Sequence, residues 1–81
     1  MMQQEVEPSV VVDCIGLYCP MPITLTTEGM EKIAVGEVLM VEADDPAAEE
    51  DIKRWASRMG HEIVKFERDD EILRFFIRKM K

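Results

Sequence analysis

The chain has 81 residues and a mass of 9.3 kDa, which at ordinary domain sizes is one domain. Seventeen Asp and Glu against ten Lys and Arg leave a formal charge of −7. A surface that tracks nucleic-acid phosphates needs clustered positive charge, so direct nucleic-acid binding is disfavoured.

Hydrophobic residues at 47% and charged residues at 33% describe a globular composition. At this size about 60% of the unfolded surface is buried, enough for one core between two packed layers. The longest apolar run is four residues, far short of the roughly 20 a membrane helix needs, so no membrane insertion is expected. The N-terminal MMQQEVEPS lacks the basic-then-apolar order of a signal peptide, and the cytoplasm is the expected compartment. Cys14 and Cys19 would be reduced there, and two thiols are too few for a disulfide scaffold.

Residues 1–9 read as a flexible N-terminus and residues 10–81 as the single domain. The β-branched run Val10-Val11-Val12 reads as a buried strand. Asp13 to Tyr18 reads as a connection, with Gly16 free to adopt a φ that other residues resist. From Pro20 to Ala34 two readings compete. Ile23 to Thr27 have strand propensity. Pro20 and Pro22 suit a first helical turn, and Ile23, Met30 and Ile33 recur near helical spacing, with Gly36 as the stop.

Val38 to Ala43 is a second strand. Asp45 as N-cap and Pro46 as first helical residue then open a helix with Ala48, Ile52, Trp55, Ala56 and Met59 on one core stripe. Glu49, Glu50 and Asp51 near its start suit the helix dipole, and Gly60 ends it. Ile63, Val64 and Phe66 mark a third strand, and Ile72 to Ile77 a fourth. Arg68 to Glu71 form the turn of an antiparallel hairpin. The order βαβαββ predicts an α+β two-layer sandwich, with two helices on one face of a four-stranded mixed sheet.

Chemistry concentrates in Asp13-Cys14-Ile15-Gly16-Leu17-Tyr18-Cys19-Pro20-Met21-Pro22. With Pro20 as first helical residue, Cys19 is the N-cap, where the helix dipole favours an anion. Pro20 and Pro22 lack N–H groups, which leaves Met21 and Ile23 as donors facing the sulfur. A thiol so placed has its pKa lowered, and the thiolate is the reactive form.

Asp13, Gly16, Leu17, Cys19, Pro20 and Pro22 together form D-x-x-G-L-x-C-P-x-P. This run resembles the signature of TusA-type (SirA-like) sulfur-carrier proteins. Gly36, Asp44-Asp45-Pro46 and Gly60-His61 extend the likeness from Val10 to Lys79. The resemblance implies a βαβαββ sandwich in which Cys19 is the catalytic residue, carrying sulfur as a persulfide. It implies a donor such as a cysteine desulfurase or rhodanese-like protein, and an acceptor such as a DsrE-like protein or another sulfurtransferase. Where relatives often carry basic residues near the cysteine, this chain has Ile15, Thr24, Thr26 and Thr27, with Lys32 at the helix's far end.

No cofactor is called for, because nucleophile and cargo are both sulfur. Cys14, Cys19 and His61 fall short of a four-ligand zinc site, so no metal is expected. Cys14 reads as a space-filling thiol. The sharper alternative is a thiol redox or regulatory module using a Cys14–Cys19 couple, which needs Cα atoms within about 7 Å. His61 after Gly60 reads as a turn residue, and Asp44-Asp45 as capping groups rather than an acid–base pair.

Overall fold

A computed structural model describes residues 7–18 and 20–81. The chain runs β1 (Val10–Cys14), α1 (Met21–Met30), β2 (Val38–Ala43), α2 (Ala48–Met59), β3 (Glu62–Asp69) and β4 (Ile72–Arg78). This is the expected βαβαββ order. Of the stretch expected to be flexible, residues 1–6 lie outside the described residues. Ser9 is tied in, its N–H donating to Val38 O at 2.8 Å.

The four strands form one mixed sheet in the order β1-β2-β4-β3. β1 is parallel to β2, with Cys14 opposite Ala43, and the other two pairings are antiparallel. Strands β2 and β3 therefore point the same way with β4 inserted between them. The α2 crossover skips one position, and the hairpin fills it.

Alternation along the strands sends one set of side chains to the helices. Val10, Val12 and Cys14 of β1, Leu39, Val41 and Ala43 of β2, and Leu73, Phe75 and Ile77 of β4 join one cluster with Ile52, Trp55 and Ala56 of α2. Burying a side chain such as Phe75 or Ile52 contributes roughly 1.5–3 kcal/mol each. Both helices thus cover one face, and the fold is a two-layer α+β sandwich.

Helix α1 is a helix, and its buried face explains why a strand competed with it in the sequence. That face is Pro22, Thr26, Gly29 and Met30, with little apolar periodicity to read. The Thr26 hydroxyl donates to Pro22 O at 2.6 Å, which removes the penalty of burying it. Thr24 and Thr27 likewise donate to Pro20 O and Ile23 O. At Gly29 an added Cβ would lie 2.8 Å from Val12 Cγ2 and 3.0 Å from Leu39 Cδ1. The helix sits that close to the sheet because nothing larger stands there.

Helix α2 carries the expected stripe through Ala48, Ile52, Trp55 and Ala56, all buried. Met59 departs from it: it is 44% exposed, at the helix end where the sheet no longer covers it. The helix also starts later than expected. Ala47 N–H donates to Asp45 Oδ1 and Ala48 N–H to Asp45 O, so Pro46 and Ala47 form a tight turn that leads into it. The N-cap is Ala47, which makes no side-chain cap bond, so Asp45 braces the turn before the helix and is not the expected N-cap. Gly60, at φ +81°, closes the helix with His61 N–H donating to Ala56 O and Gly60 N–H to Ser57 O, a Schellman motif.

The hairpin strands are longer than the apolar residues alone marked. Arg68 and Asp69 belong to β3, and the turn shrinks to Asp70 and Glu71. Charged residues on an edge strand continue the ladder because only their backbones must pair.

Candidate functional site

The loop between β1 and α1 is built by short-range hydrogen bonds. β1 runs on through Asp13 and Cys14, two residues past the apolar run, because pairing with Glu42 and Ala43 continues. Asp13 Oδ1 accepts from Ile15 N–H at 3.0 Å, an Asx turn that bends the chain off the strand end. Leu17 N–H donates to Cys14 O at 3.1 Å. Gly16 sits third in this turn at φ +82°, and an added Cβ would meet nothing within 4 Å. The glycine is needed for its backbone conformation alone. Its N–H donates to Asp44 Oδ1 at 2.9 Å, which fastens the loop to the end of β2.

The loop enters α1 through a second turn, in which Met21 N–H donates to Tyr18 O at 2.9 Å. The helix begins at Met21, with Pro20 as its N-cap and Pro22 within its first turn. Two expectations change accordingly. Pro20 is not the first helical residue, because Met21 closes back on Tyr18 before the helical ladder starts. Met21 N–H, expected as a donor to the sulfur, is engaged by that carbonyl. Cys19, the expected reactive residue, lies outside the described residues. Its chain neighbours Tyr18 and Pro20 are both exposed, Tyr18 at 69%. No acidic residue stands in the first turn of α1 to oppose an anion there.

Cys14 is a core residue. It is fully buried among the cluster that joins sheet and helices. Burial pushes its thiol above the ordinary range, and the neighbouring Asp13 carboxylate adds to the effect. Both act against a thiolate.

His61 stands at the other end of α1 from the loop, beside Met30, Glu31 and Trp55. Its Nδ1 accepts from Met80 N–H at 3.1 Å, and its ring lies 5.6 Å from that of Trp55. Burial holds it below the usual histidine pKa, helped by Lys79 and Lys81. Among the described residues no group of three or more His, Cys, Asp and Glu could hold a metal ion. None of the helices there is long and apolar enough to cross a membrane.

Two unlike surfaces border the loop. On the hairpin side is an acidic hollow of about 430 Å³, lined by residues including Asp44, Glu49, Arg68, Asp70 and Glu71. A smaller one of about 280 Å³ adds Ile15 and Ile72 to Asp44, Asp70 and Glu71. On the α2 side is a groove of about 200 Å³ that starts at Pro20 and runs to Arg54 and Arg58. Asp44, expected as a capping group, instead fastens the loop. The spacing of Asp51, Arg54 and Arg58 carried a usable signal, since i, i+3 and i+7 share one helix edge. Nothing local marked Asp44 as the loop's anchor.

The fold is a small α+β sandwich whose sequence carries Cys-Pro-x-Pro where its first helix begins. Comparison with known proteins gives the family. The model of the family described as Sulfurtransferase TusA matches residues 10–79. The "Putative sulfur carrier protein" of Archaeoglobus fulgidus is 48% identical over 71 residues, covering 86% of this chain and 92% of its own length. "Putative sulfur carrier protein YrkF" of Bacillus subtilis is 44% identical over 71 residues, covering 88% of this chain. This chain spans only 38% of that longer protein. The crystal structure of the SirA-like protein from Desulfitobacterium hafniense shares the fold, with a TM-score of 0.76 at 20% identity. The match covers 89% of this chain and 99% of that one. The chain belongs to the TusA family of sulfur carriers.

Proposed function

We propose that the chain relays sulfur between proteins as a persulfide on Cys19. The Cys19 thiolate attacks the outer sulfur of a donor's persulfide. The donor's sulfur–sulfur bond breaks, its thiolate leaves with the electron pair, and Cys19–S–S⁻ forms. An acceptor thiolate then takes the outer sulfur, and Cys19 returns as a thiolate. Atoms and electrons balance at each step without a redox partner, so no cofactor enters. The donor class is a cysteine desulfurase or rhodanese-like protein, and the acceptor a DsrE-like protein or another sulfurtransferase.

The observation that carries this reading is the fastened loop. Asp13, Gly16 and Asp44 hold the chain just before Cys19, and the helix start just after it carries no acidic residue. Such a start favours an anion, and a persulfide is one. The alternative, a redox couple with Cys14, needs a thiol that is buried and held protonated.

Incubation with a cysteine desulfurase and cysteine, followed by intact-mass measurement, tests the proposal. Each sulfur taken up adds about 32 Da, the mass of one sulfur atom on the cysteine oxidation ladder. The addition is expected at Cys19 and is expected to vanish in Cys19→Ser. A Cys19→Ser protein that still takes up sulfur would overturn the assignment.

A further inference from the structure

We propose that the groove between the start of α1 and the edge of α2 receives an acidic segment of the protein with which Cys19 exchanges sulfur, held by Arg54 and Arg58. The inference rests on the sulfur-carrier reading and names the chemistry of the partner.

The groove has a volume of about 200 Å³ and is lined by Pro20, Ile23, Asp51, Arg54, Trp55 and Arg58. It accommodates one or two side chains of a partner. Trp55, 3% exposed, forms an apolar floor, and Ile23 packs against the same core. Pro20, at its near end, is the residue that follows Cys19.

Most of the basic side chains are engaged. Lys53 and Arg68 both pair with Glu49, Arg74 with Glu42, and Lys65 with Glu67. Lys79 donates to Ile33 O. Arg58 shares with Lys32, Arg78 and Lys81 the lack of an ion pair among the described residues, but of these only Arg58 lines this groove. Arg54 reaches Glu50 and Asp51 only at 3.5 and 3.7 Å, with its side chain 66% exposed. In a chain of net charge −7, two guanidinium groups line this hollow against one carboxylate, that of Asp51, which Arg54 meets at 3.7 Å.

Guanidinium groups bind carboxylates through two parallel hydrogen bonds, which makes an Asp or Glu side chain the fitting occupant. Tyr18 and Met21, which flank Cys19-Pro20 in the chain, have exposed side chains. Aromatic residues, Met and Arg are the types enriched at protein interfaces. The acidic hollow on the other side of the loop would repel the same segment, so the two surfaces fix which way round a partner docks.

The test uses short cysteine peptides activated as 2-thiopyridyl disulfides, one with Asp flanking the cysteine and one with Lys. The Cys19 thiolate attacks the peptide sulfur, and a Cys19–peptide disulfide forms. The bond to the thiopyridyl sulfur breaks, and 2-thiopyridone leaves with the electron pair; its absorbance gives the rate. The full chain is used at about 20 mM salt, where screening is weak.

In the double variant Arg54→Gln, Arg58→Gln the ratio of the Asp-peptide rate to the Lys-peptide rate is expected to fall about tenfold, at the low end of electrostatic steering. The ratio cancels any change in the thiolate fraction. A control, Lys65→Gln with Arg78→Gln, removes the same charge from β3 and β4 and is expected to move the ratio less than about twofold. An unchanged ratio in the first variant, an equal shift in the control, or a Cys19 that takes up neither peptide would overturn the proposal. Persulfide loading fails or succeeds separately. Loading without a ratio shift removes the groove alone, and a ratio shift without loading removes the sulfur reading and keeps the groove's preference.

Discussion

The backbone N–H of Gly16 donates to the Asp44 carboxylate at 2.9 Å, across 28 residues of sequence. Gly16 belongs to the loop that leads to Cys19, and Asp44 to the end of β2. Asp44→Ala is expected to lower stability by about 1 kcal/mol, the usual worth of such a bond. Persulfide transfer should slow several-fold, because a positioning contact is lost. Asp44→Asn keeps an acceptor oxygen and should restore most of both. Stopped-flow transfer rates with urea denaturation of the three proteins decide it. An Ala variant with native transfer would mean that the loop holds its shape unaided.

Cys14 lies in the core opposite Ala43, with its thiol pushed above the ordinary range. Cys14→Ala leaves a small cavity and is expected to destabilise by about 1–2 kcal/mol, below the cost of larger truncations. Sulfur uptake at Cys19, followed by intact mass, should be unchanged. Loss of uptake in a protein that remains folded would favour the two-thiol redox reading.

Gly29 allows α1 to lie against Val12 and Leu39. Alanine there gains about 1 kcal/mol of helix propensity. It also forces a Cβ to within 2.8 Å of the stiff Val12 side chain, where overpacking costs typically 1–3 kcal/mol. A net loss of about 1 kcal/mol is expected for Gly29→Ala, read as a lower urea midpoint. A raised midpoint would show that helix and sheet separate without penalty.

His61 is held below its usual pKa, and its Nδ1 accepts a hydrogen bond from Met80 N–H. Protonation at Nδ1 would set two N–H groups against each other. The unfolded chain binds this proton more readily than the folded one, so stability rises with pH through the window. The contribution is fully present above the ordinary histidine value of about 6.5. It is lost as pH falls through the depressed folded value. Denaturation midpoints of the parent chain between pH 7.5 and 5 (about two and a half units) should fall more than those of His61→Gln. Parallel curves would remove His61 as the cause.

The sheet and α2 were legible because their signals are local. Val38 to Ala43 form a compact β-rich run, and Ile52, Trp55 and Ala56 recur at helical spacing. Helix α1 was ambiguous because a buried threonine and a glycine do the work of apolar residues on its inner face. Thr26 can be buried only through Pro22 O, and Gly29 matters only against Val12 and Leu39. Both facts are tertiary. At the site, Asp13, Gly16, Cys19 and the two prolines stand in one run and could be read. Asp44, Arg54 and Arg58 reach the loop only after the chain has folded, so no spacing within the motif announces them.

Thr24, Thr26 and Thr27 each return a hydroxyl hydrogen to a carbonyl one turn back. The helix that follows Cys19 is therefore chemically quiet over its first two turns, with its donors already committed inward. A protein meeting that stretch of α1 encounters methyl groups and backbone contour in place of polar hooks. A partner seated there would be held by shape, and its polar grip would have to come from other surfaces.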